Sequence, residues 1–347
     1  MKILSVGTFK SLSNTALHRH WALCKIAESV DVVDTSSTKT SLWHRVVHRL
    51  FLWGLPVPIP RRDDENSKIC KLVDNNDYDV VWIDKGITIT PRTLSYIKSK
   101  NPRTQIVSYS PDNMSLRHNQ SQQYLDSVAM YDFHFTTKSY ILDAMAALGA
   151  KEIYFMAKCY EPTFHFPRPL EMSDYDRLGC DVGFVGMWER ERCESVIYLA
   201  RHGVKVRVFG NSKWLAYRNV SENLTIEDHG LYSEDYSKSF RAFKISLCFL
   251  RKINRDQQTS RTMEIPASGG FMLAERTDEH MQLFEEGVEA EFFSSNEELL
   301  QKCNYYLSHE HERAAIVKNG LLRCKRSDYS NEGMIRRALQ IVCDDKK

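Results

Sequence analysis

The chain has 347 residues, of which 42% are hydrophobic and 27% are charged, and its formal net charge is only +2. This length exceeds one ordinary hydrophobic core and fits two domains of roughly 150 residues each. The near-neutral balance argues against binding of nucleic acid through bulk charge. Nine cysteines occur without any C-x-x-C pair, a pattern typical of reduced thiols in a cytosolic protein.

The first half of the chain alternates β-rich runs with segments of helical length. "KILSVG" predicts the first strand, and a helical pattern follows from Thr15 to Glu28. Further strands are predicted at "DVVDTS", "YDVVWIDKG", "TQIVSYSPD", "FHFTTK" and "EIYFMA". Such alternation indicates parallel pairing in a doubly wound sheet, whose functional loops follow the carboxyl ends of the strands. We therefore predict a Rossmann-like acceptor domain over residues 1–160.

One segment of this half, residues 42–59, is amphipathic. Its large apolar residues recur at helical spacing from Trp43 to Phe51, and two histidines and two arginines fall on the opposite face. No run approaches the ~20 apolar residues needed to cross a bilayer. We interpret the segment as a helix that faces the core or, alternatively, one that contacts a membrane surface or a lipid-linked acceptor.

A break at residues 161–179 carries three prolines and little periodicity, and we interpret it as an interdomain linker. The alternation restarts over residues 180–325, with strands predicted at "CDVGFVGM", "KVRVFG", "ISLCFL", "FMLAE" and "AEFF". A C-terminal helix is predicted within 326–347. Two Rossmann-like domains that face a central cleft would suit a reaction between two substrates.

Gly186 ends the first strand of the second domain, and Arg190 and Arg192 follow where the chain enters a helix. The free amides and the helix dipole at such a turn favour an anion, and arginine can hold phosphate oxygens through paired hydrogen bonds. An exposed, charged first turn without a ligand fits the same spacing. Neither G-x-x-x-x-G-K-[ST] nor G-x-G-x-x-G occurs, so a nucleotide would have to be held in another way.

The segment "QTSRTMEIPASGG" follows a polar loop after the strand "ISLCFL". Thr259 or Ser260 can cap the next helix and leave its amides for a ligand. Glu264 lies about one turn into that helix, where a carboxylate can accept both hydroxyls of a ribose. Arg261 could bind phosphate, or it could pair with Glu264 as a weak surface ion pair.

Candidates on the acceptor side come from the first domain. Gly7 and Thr8 follow its first strand, and Asp112 follows another strand, so all three are expected at the same edge of a parallel sheet. Asp112 could orient or deprotonate an acceptor hydroxyl, or it could simply build a turn. His18 is a candidate proton carrier, although a lone helical histidine is more often a packing or surface residue. No His/Cys/Asp cluster has metal-site spacing, so we predict no metal.

Residues 180–325 carry, in order, "DVGFVGMWERER", "VRVFGNSKW", "YSKSFRAFKISLCFL" and "QTSRTMEIPASGGFML". In this order and spacing the region resembles the C-terminal domain of GT-B glycosyltransferases, and above all the CgeB-like (spore maturation protein) group related to family 4 retaining enzymes. The resemblance implies that Glu264 holds the nucleotide ribose and that Arg192 contacts the donor diphosphate. It places Asp256 where the retaining relatives carry the first glutamate of an E-x7-E pair, so this side chain is one methylene shorter.

The resemblance implies an enzyme that moves a sugar from a nucleoside-diphosphate sugar to a hydroxyl of a carbohydrate or lipid-linked acceptor, as in polysaccharide biosynthesis. Retention at the anomeric carbon and independence of metals and other cofactors are part of that implication. Arg192, with Arg190 or Arg261, would offset the charge of the leaving diphosphate. The protein is then expected in the cytoplasm or at the inner face of the membrane. A sugar-nucleotide epimerase and a non-catalytic nucleotide-sugar-binding protein are the alternatives.

Overall fold

The computed structural model describes residues 1–36, 41–60 and 65–344. Within these ranges twelve strands form two six-stranded sheets, and all of the strand pairings in both sheets are parallel. The α/β class and the two Rossmann-like sheets predicted from the alternation of strands and helices are confirmed. Contacts divide the chain into two units, of which the second is Lys158–Ser330 and the first contains Met1–Ala157 and the last helix.

The first unit is built on a sheet with strands in the order β2-β1-β3-β4-β5-β6. Its strands are β1 (Lys2–Gly7), β2 (Ser29–Asp34), β3 (Val80–Asp84), β4 (Gln105–Ser110), β5 (Phe133–Thr136) and β6 (Glu152–Phe155). Its helices are α1 (Thr15–Ile26), α2 (Leu42–Leu52), α3 (Glu65–Asn75), α4 (Pro91–Lys100), α5 (Gln122–Ser127) and α6 (Leu142–Ala147). The central strands are buried on both faces, as the continuous apolar run of Val80 to Ile83 requires.

The second unit is built on a sheet with strands in the order β12-β11-β10-β7-β8-β9. Its strands are β7 (Cys180–Val185), β8 (Val206–Phe209), β9 (Leu224–Glu227), β10 (Phe243–Cys248), β11 (Met272–Glu275) and β12 (Glu291–Phe293). Its helices are α7 (Met172–Leu178), α8 (Arg190–Arg201), α9 (Ser233–Ala242), α10 (Ser260–Ala267), α11 (Asp278–Leu283), α12 (Asn296–Ser308) and α13 (Glu310–Arg326). One core joins this sheet to α8 and α12 through Phe184, Val196 and Leu299.

The last helix, α14 (Asn331–Asp344), packs on α1 and belongs to the first unit. Its apolar face buries Met334, Ile335, Ala338, Leu339 and Val342. Residues 161–179, interpreted above as a linker, lie in the second unit, and α7 forms part of them. The chain therefore passes from the first unit to the second after Ala157 and returns after Ser330.

The direction in which successive strands are added reverses once in each sheet. The loops that follow the strands on either side of this reversal point diverge from each other. In the first sheet the reversal lies between β1 and β3, and in the second sheet it lies between β7 and β10. Loops that leave the carboxyl ends of such neighbouring strands run to opposite faces of the sheet and open a crevice between them. The carboxyl ends of β7 and β10 are therefore the first place to look for a ligand site in the second unit.

Candidate functional site

The helix α10 begins beside the carboxyl end of β10 with a reciprocal cap. Thr259 is the N-cap: its side chain accepts from the amide of Thr262, and the Thr262 hydroxyl oxygen accepts from the Thr259 amide at 3.0 Å. Of the two capping residues considered from the sequence, the structure selects Thr259, and Ser260 becomes the first helical residue. Gly269 ends the helix region with φ +77°, a left-handed conformation that favours glycine.

A buried polar layer lies under the cap. His280 Nδ1 lies 2.6 Å from the carbonyl oxygen of Glu275, and its Nε2 lies 2.8 Å from the Thr262 hydroxyl oxygen. Burial lowers the pKa of His280 to about 4, so the ring is neutral near pH 7. Nδ1–H then donates to the carbonyl, and Nε2 accepts from Thr262. In the same layer Gln258 Nε2 donates to Glu279 at 2.6 Å. The start of α10 is thereby held rigidly.

Two arginines converge at the reversal point of the second sheet. Arg192 on α8 and Arg261 on α10 carry their Cζ atoms 5.9 and 5.6 Å from the ring centroid of Phe184, which belongs to β7. Only 3% of Arg192 is exposed. Its Nε donates to the Leu250 carbonyl at 3.2 Å and its Nη1 to the Met187 carbonyl at 3.1 Å. These bonds to loop carbonyls fix the guanidinium beside the end of the strand.

The two guanidinium groups retain unused donors. Within the described part of the chain, Arg192 Nη2 and Arg261 Nε are buried without a hydrogen-bond partner. The nearest carboxylate oxygen to Arg192 Nη2, on Glu189, is 3.6 Å away and also pairs with Arg251 at 3.0 Å. Burial, and next the charge of Arg261, lower the pKa of Arg192 to about 10. Two like charges, one on a buried and one on a partly buried side chain, with buried, unsatisfied N–H groups form a site that an anion would stabilise.

Glu264 lies one turn into α10 and is 8% exposed. Its Oε2 accepts from the Tyr236 hydroxyl at 2.6 Å, and its Oε1 lies 3.8 Å from His165 Nε2. Burial, and next the charge of Glu264, raise the pKa of Tyr236 well above its ordinary value, so this hydroxyl donates at neutral pH. Arg261 does not form the surface pair with Glu264 that the sequence left open, because its Nη2 donates to the Phe249 carbonyl at 3.4 Å.

The other donor-side candidates lie at different depths. Gly186 follows β7 and fits closely, since a Cβ there would come within 2.7 Å of the Phe184 ring. Arg190 points to solvent, with 80% of its side chain exposed, and pairs with Glu194 at 3.1 Å. Asp256 is half-buried in the loop between β10 and α10, and its amide donates to the Arg251 carbonyl at 3.2 Å. Arg190 is therefore not part of the buried cluster.

The acceptor-side candidates lie in the first unit. Gly7 ends β1, and Thr8 is exposed beside Thr35 with 3.3 Å between their hydroxyl oxygens. Asp112 Oδ2 accepts from Lys85 Nζ at 2.5 Å. His18 is buried and its Nε2 lies 2.7 Å from the Leu12 carbonyl oxygen, which suits a packing role. The structure therefore brings Gly7, Thr8 and Asp112 to the same edge of the first sheet and turns His18 inward.

The amphipathic segment forms α2, but only part of its apolar face is buried. Val47 and Phe51 are 5% and 0% exposed, whereas Trp43 and Val46, expected on the same face, are 62% and 46% exposed. The helix therefore rests on the unit through one edge of its apolar stripe. No helix in the described ranges is long and apolar enough to span a bilayer. Nor does any group of three or more His, Cys, Asp or Glu side chains in those ranges gather as a metal site.

Four residues around α10 were not predicted from the sequence: Tyr236, His165, His280 and Glu279. Tyr236 lies on α9, 28 positions before its partner Glu264, and no short motif joins them. His165 stands in the segment interpreted as a linker. Of the residues in this polar layer, only Gln258 belongs to a segment that the sequence analysis had identified, since it is the first residue of "QTSRTMEIPASGG". These partners become visible once β10 and β11 bring α9, α10 and α11 together.

A family model described as Glycosyl transferase-like matches residues 190–340. The comparison with curated proteins finds no match. Among solved structures, Anabaena Alr3699/HepE in complex with UDP-glucose is similar at 13% identity and a TM-score of 0.66, over 99% of this chain and 100% of that chain. A glycosyltransferase from Rickettsia africae is similar at 12% identity and a TM-score of 0.64, over 100% and 98% of the two chains.

A third similar structure, from Listeria monocytogenes, is provisionally named a UDP-N-acetylglucosamine 2-epimerase. It shares 11% identity at a TM-score of 0.60, over 97% of this chain and 94% of that one. Identities this low establish the fold and nothing finer. The fold is the two-domain GT-B type that the sequence resemblance implied.

Proposed function

We propose that the chain is a glycosyltransferase of the CgeB-like type, which moves a sugar from a nucleoside-diphosphate sugar to a hydroxyl of an acceptor. The observation that carries this proposal is the pair of Arg192 and Arg261, whose buried, unused donors point to an anionic ligand at the reversal point of the second sheet. The glycosyltransferase-like family match and the UDP-glucose bound by the similar Anabaena protein support the same class of ligand.

The diphosphate of the donor would lie against the two guanidinium groups. Each arginine already donates to loop carbonyls, so its remaining N–H groups are fixed in direction before the ligand arrives. The amides at the start of α10, where Thr259 and Ser260 lie, add partial positive charge. Such preorganised donors stabilise negative charge in a transition state by about 3 to 4 kcal/mol each. On this basis we propose that the reaction needs no metal and no cofactor.

The ribose of the nucleotide would be held by Glu264. Tyr236 occupies one carboxylate oxygen and so orients the other, which would accept the ribose hydroxyls. Asp256, in the loop that precedes Thr259, would lie beside the donor sugar. Its carboxylate would orient the sugar or stabilise positive charge as the bond from the anomeric carbon to the phosphate breaks.

The acceptor would be a carbohydrate or a lipid-linked molecule that meets the carboxyl edge of the first sheet. Gly7 lies at this edge in close contact with Phe9 and Asp84, and Asp112, which pairs with Lys85, would orient a hydroxyl of the acceptor. We propose retention of configuration, with the departing phosphate oxygen taking the proton of the acceptor hydroxyl. No strong protein base is then needed, and none of Asp112, Thr8 or His18 has to accept the proton.

Incubation with radiolabelled nucleoside-diphosphate sugars and candidate acceptors tests the proposal directly. Transfer of label to an acceptor, with activity that survives chelators, is the expected result. Interconversion of the free donor sugar would instead identify an epimerase, the alternative favoured by the similarity to the Listeria structure. If the chain binds nucleotide but turns over none of the donor sugars, it is a non-catalytic binding protein. Loss of activity with EDTA and recovery with Mg²⁺ would contradict the metal-free scheme.

A further inference from the structure

The helix α2 separates two cavities of opposite character in the first unit. On one side lies a cavity of about 460 Å³, and its charged and titratable lining residues are all basic or histidine: His44, Arg45, His48, Arg49, Lys85 and His118. On the other side lies a groove of about 490 Å³ lined mainly by apolar residues, among them Trp43, Leu50, Val57 and Pro58. Ile59 lines both.

Carboxylates offset only part of the positive charge that lines the first cavity. Lys85 pairs with Asp112 at 2.5 Å. Arg45 and Arg49 are exposed and form no ion pair with any carboxylate of the described ranges 1–36, 41–60 and 65–344. Residues 41–60 contain no acidic side chain at all. Two arginines held on successive turns of one helix favour an anionic group such as a phosphate between them.

The apolar side chains beside this cavity are exposed to an unusual degree. Leu42 is 76% exposed, Trp53 78% and Leu55 47%, in addition to Trp43 at 62%. The turn that carries Trp53 is fixed, because Arg117 stacks 4.1 Å from the Phe51 ring centroid and donates to the Phe51 carbonyl. Exposed tryptophans next to basic side chains are the composition of a helix that lies in the interface of an anionic membrane.

We infer that α2 and residues 53–59 form a docking site for an anionic lipid surface, with a lipid phosphate in the cavity lined by Arg45 and Arg49. The exposed tryptophans and the apolar groove meet the acyl region beside it. The charge of the cavity selects an anionic headgroup, and the apolar groove distinguishes this site from one for a soluble phosphate. The inference deepens the proposed function, since it rests on that proposal only for the conclusion that the acceptor is presented at a membrane.

Cosedimentation of the full chain with vesicles tests the site. Vesicles of phosphatidylcholine are compared with vesicles of equal parts phosphatidylcholine and phosphatidylglycerol. We expect binding to the anionic vesicles only, and a loss of about tenfold or more in Arg45→Gln/Arg49→Gln, because each basic side chain near an anionic surface strengthens binding several-fold. Trp43→Ser/Trp53→Ser should lose binding to a similar extent.

The matched controls lie on exposed positions of α13 in the second unit. Lys318→Gln/Lys325→Gln removes the same charge and Leu322→Ser removes an exposed apolar side chain, and both should bind vesicles as the unaltered chain does. Binding of UDP, measured on every variant, reports the donor site separately. UDP binding without vesicle binding would overturn the lipid site and leave the proposed function standing, and vesicle binding without UDP binding would do the reverse.

Two further results would overturn the inference. The first is vesicle binding that the arginine and tryptophan variants leave unchanged. The second is a rise in thermal stability with inorganic phosphate that requires Arg45 and Arg49, in a chain that ignores vesicles, which would assign the cavity to a soluble phosphate compound.

Discussion

The carboxyl edges of the two sheets treat buried charge in opposite ways. In the first unit Arg19 and Asp84 are 4% and 5% exposed and pair at 2.5 Å, with further hydrogen bonds from Arg19 Nε to both carboxylate oxygens. In the second unit Arg192 and the partly buried Arg261 lie against the same Phe184 ring, and each keeps a buried N–H donor unused. A satisfied pair contributes to structure, whereas an unsatisfied like-charged pair costs stability until a ligand binds. The contrast supports our proposal that the anionic substrate binds to the second unit.

Breaking the pair in the first unit should give the largest effect, and the effect should be on stability. Arg19→Gln leaves the Asp84 carboxylate buried and without its cation, which costs about 3 to 5 kcal/mol. Denaturant unfolding followed by fluorescence measures the loss. Affinity for UDP, at temperatures where the variant remains folded, should stay near that of the unaltered chain. If the variant is as stable as the unaltered chain, the pair of Arg19 and Asp84 does not stabilise the first unit.

The same substitution in the second unit should act on catalysis and not on stability. Arg261→Gln removes one donor to the diphosphate and is expected to lower kcat/KM by about 10²- to 10³-fold, as loss of one preorganised donor does elsewhere. Its melting temperature should change little, because the hydrogen bond from Arg261 Nη2 to the Phe249 carbonyl is long, at 3.4 Å, and Arg192 carries a like charge nearby. Arg201→Gln, an exposed residue at the end of α8, is the matched control. Equal activity of the two variants would contradict the proposed diphosphate site.

Each unit also contains a buried histidine whose pKa is strongly lowered, so acid should weaken both. Burial lowers the pKa of His134 in the first unit and of His280 in the second to about 4, below the ordinary 6.5. The unfolded chain binds these protons first, so stability is full above pH 6.5 and falls as pH drops toward 4. At pH 5 the expected loss is about 2 kcal/mol for each histidine.

Unfolding curves collected between pH 7 and pH 5 check this expectation. His134→Gln and His280→Gln should each flatten the pH dependence by about half, whatever their effect at pH 7. His311→Gln, at an exposed position, should leave the slope as it is. If none of these substitutions alters the dependence of unfolding free energy on pH, other residues cause the acid sensitivity.

Removal of the proposed ribose ligand should have a smaller effect, confined to nucleotide binding. Glu264→Ala is expected to weaken affinity for UDP by more than tenfold, or about 1.4 kcal/mol, because the ribose hydroxyls lose a charged acceptor. Isothermal titration measures the change, with the exposed Glu297→Ala as control. Unchanged affinity would exclude the ribose role and leave Glu264 as a partner of Tyr236 alone.

The smallest effect is expected from the residue that orients Glu264. Tyr236→Phe removes one donor to the carboxylate at 2.6 Å and should weaken UDP binding by roughly fivefold, or about 1 kcal/mol, because Glu264 loses its orientation but keeps its charge. The double variant Tyr236→Phe/Glu264→Ala should be no weaker than Glu264→Ala, since Tyr236 acts through the carboxylate. Additive losses would give Tyr236 a separate contact with the ligand.

The architecture could be predicted because alternating strands and helices leave few ways to pair. The periodic apolar runs around Val80 to Ile83 and Ile245 to Leu247 identify central strands, and parallel connection rules supply the rest. The approach of Arg192 to Arg261 also followed in outline, since both positions come after strands that turned out to be neighbours. The sequence could not predict how deeply each side chain is buried. Arg190 and Arg192 are only two positions apart, yet Arg190 is exposed and Arg192 is buried.

Long-range partners account for the remaining gaps. Tyr236 meets Glu264 only because α9 packs beside α10, and His165 joins them from a segment without periodicity. The exposure of Trp43 could not be predicted from the sequence either, because it also depends on tertiary packing. Its helical spacing places it on the apolar stripe, but the neighbouring structure covers only the edge of that stripe at Val47 and Phe51. Amphipathic spacing defines a face, and only tertiary packing decides how much of the face is covered.

The return of α14 to the first unit gives the two units different histories during synthesis. Residues 158–330 are continuous in sequence, so the second unit has all of its strands and helices as soon as Ser330 has been made. The first unit has its six strands earlier but leaves the α1 surface uncovered until Met334, Ile335 and Leu339 emerge. A chain truncated after Ser330 should therefore contain a protease-resistant second unit and a first unit that is still open to digestion.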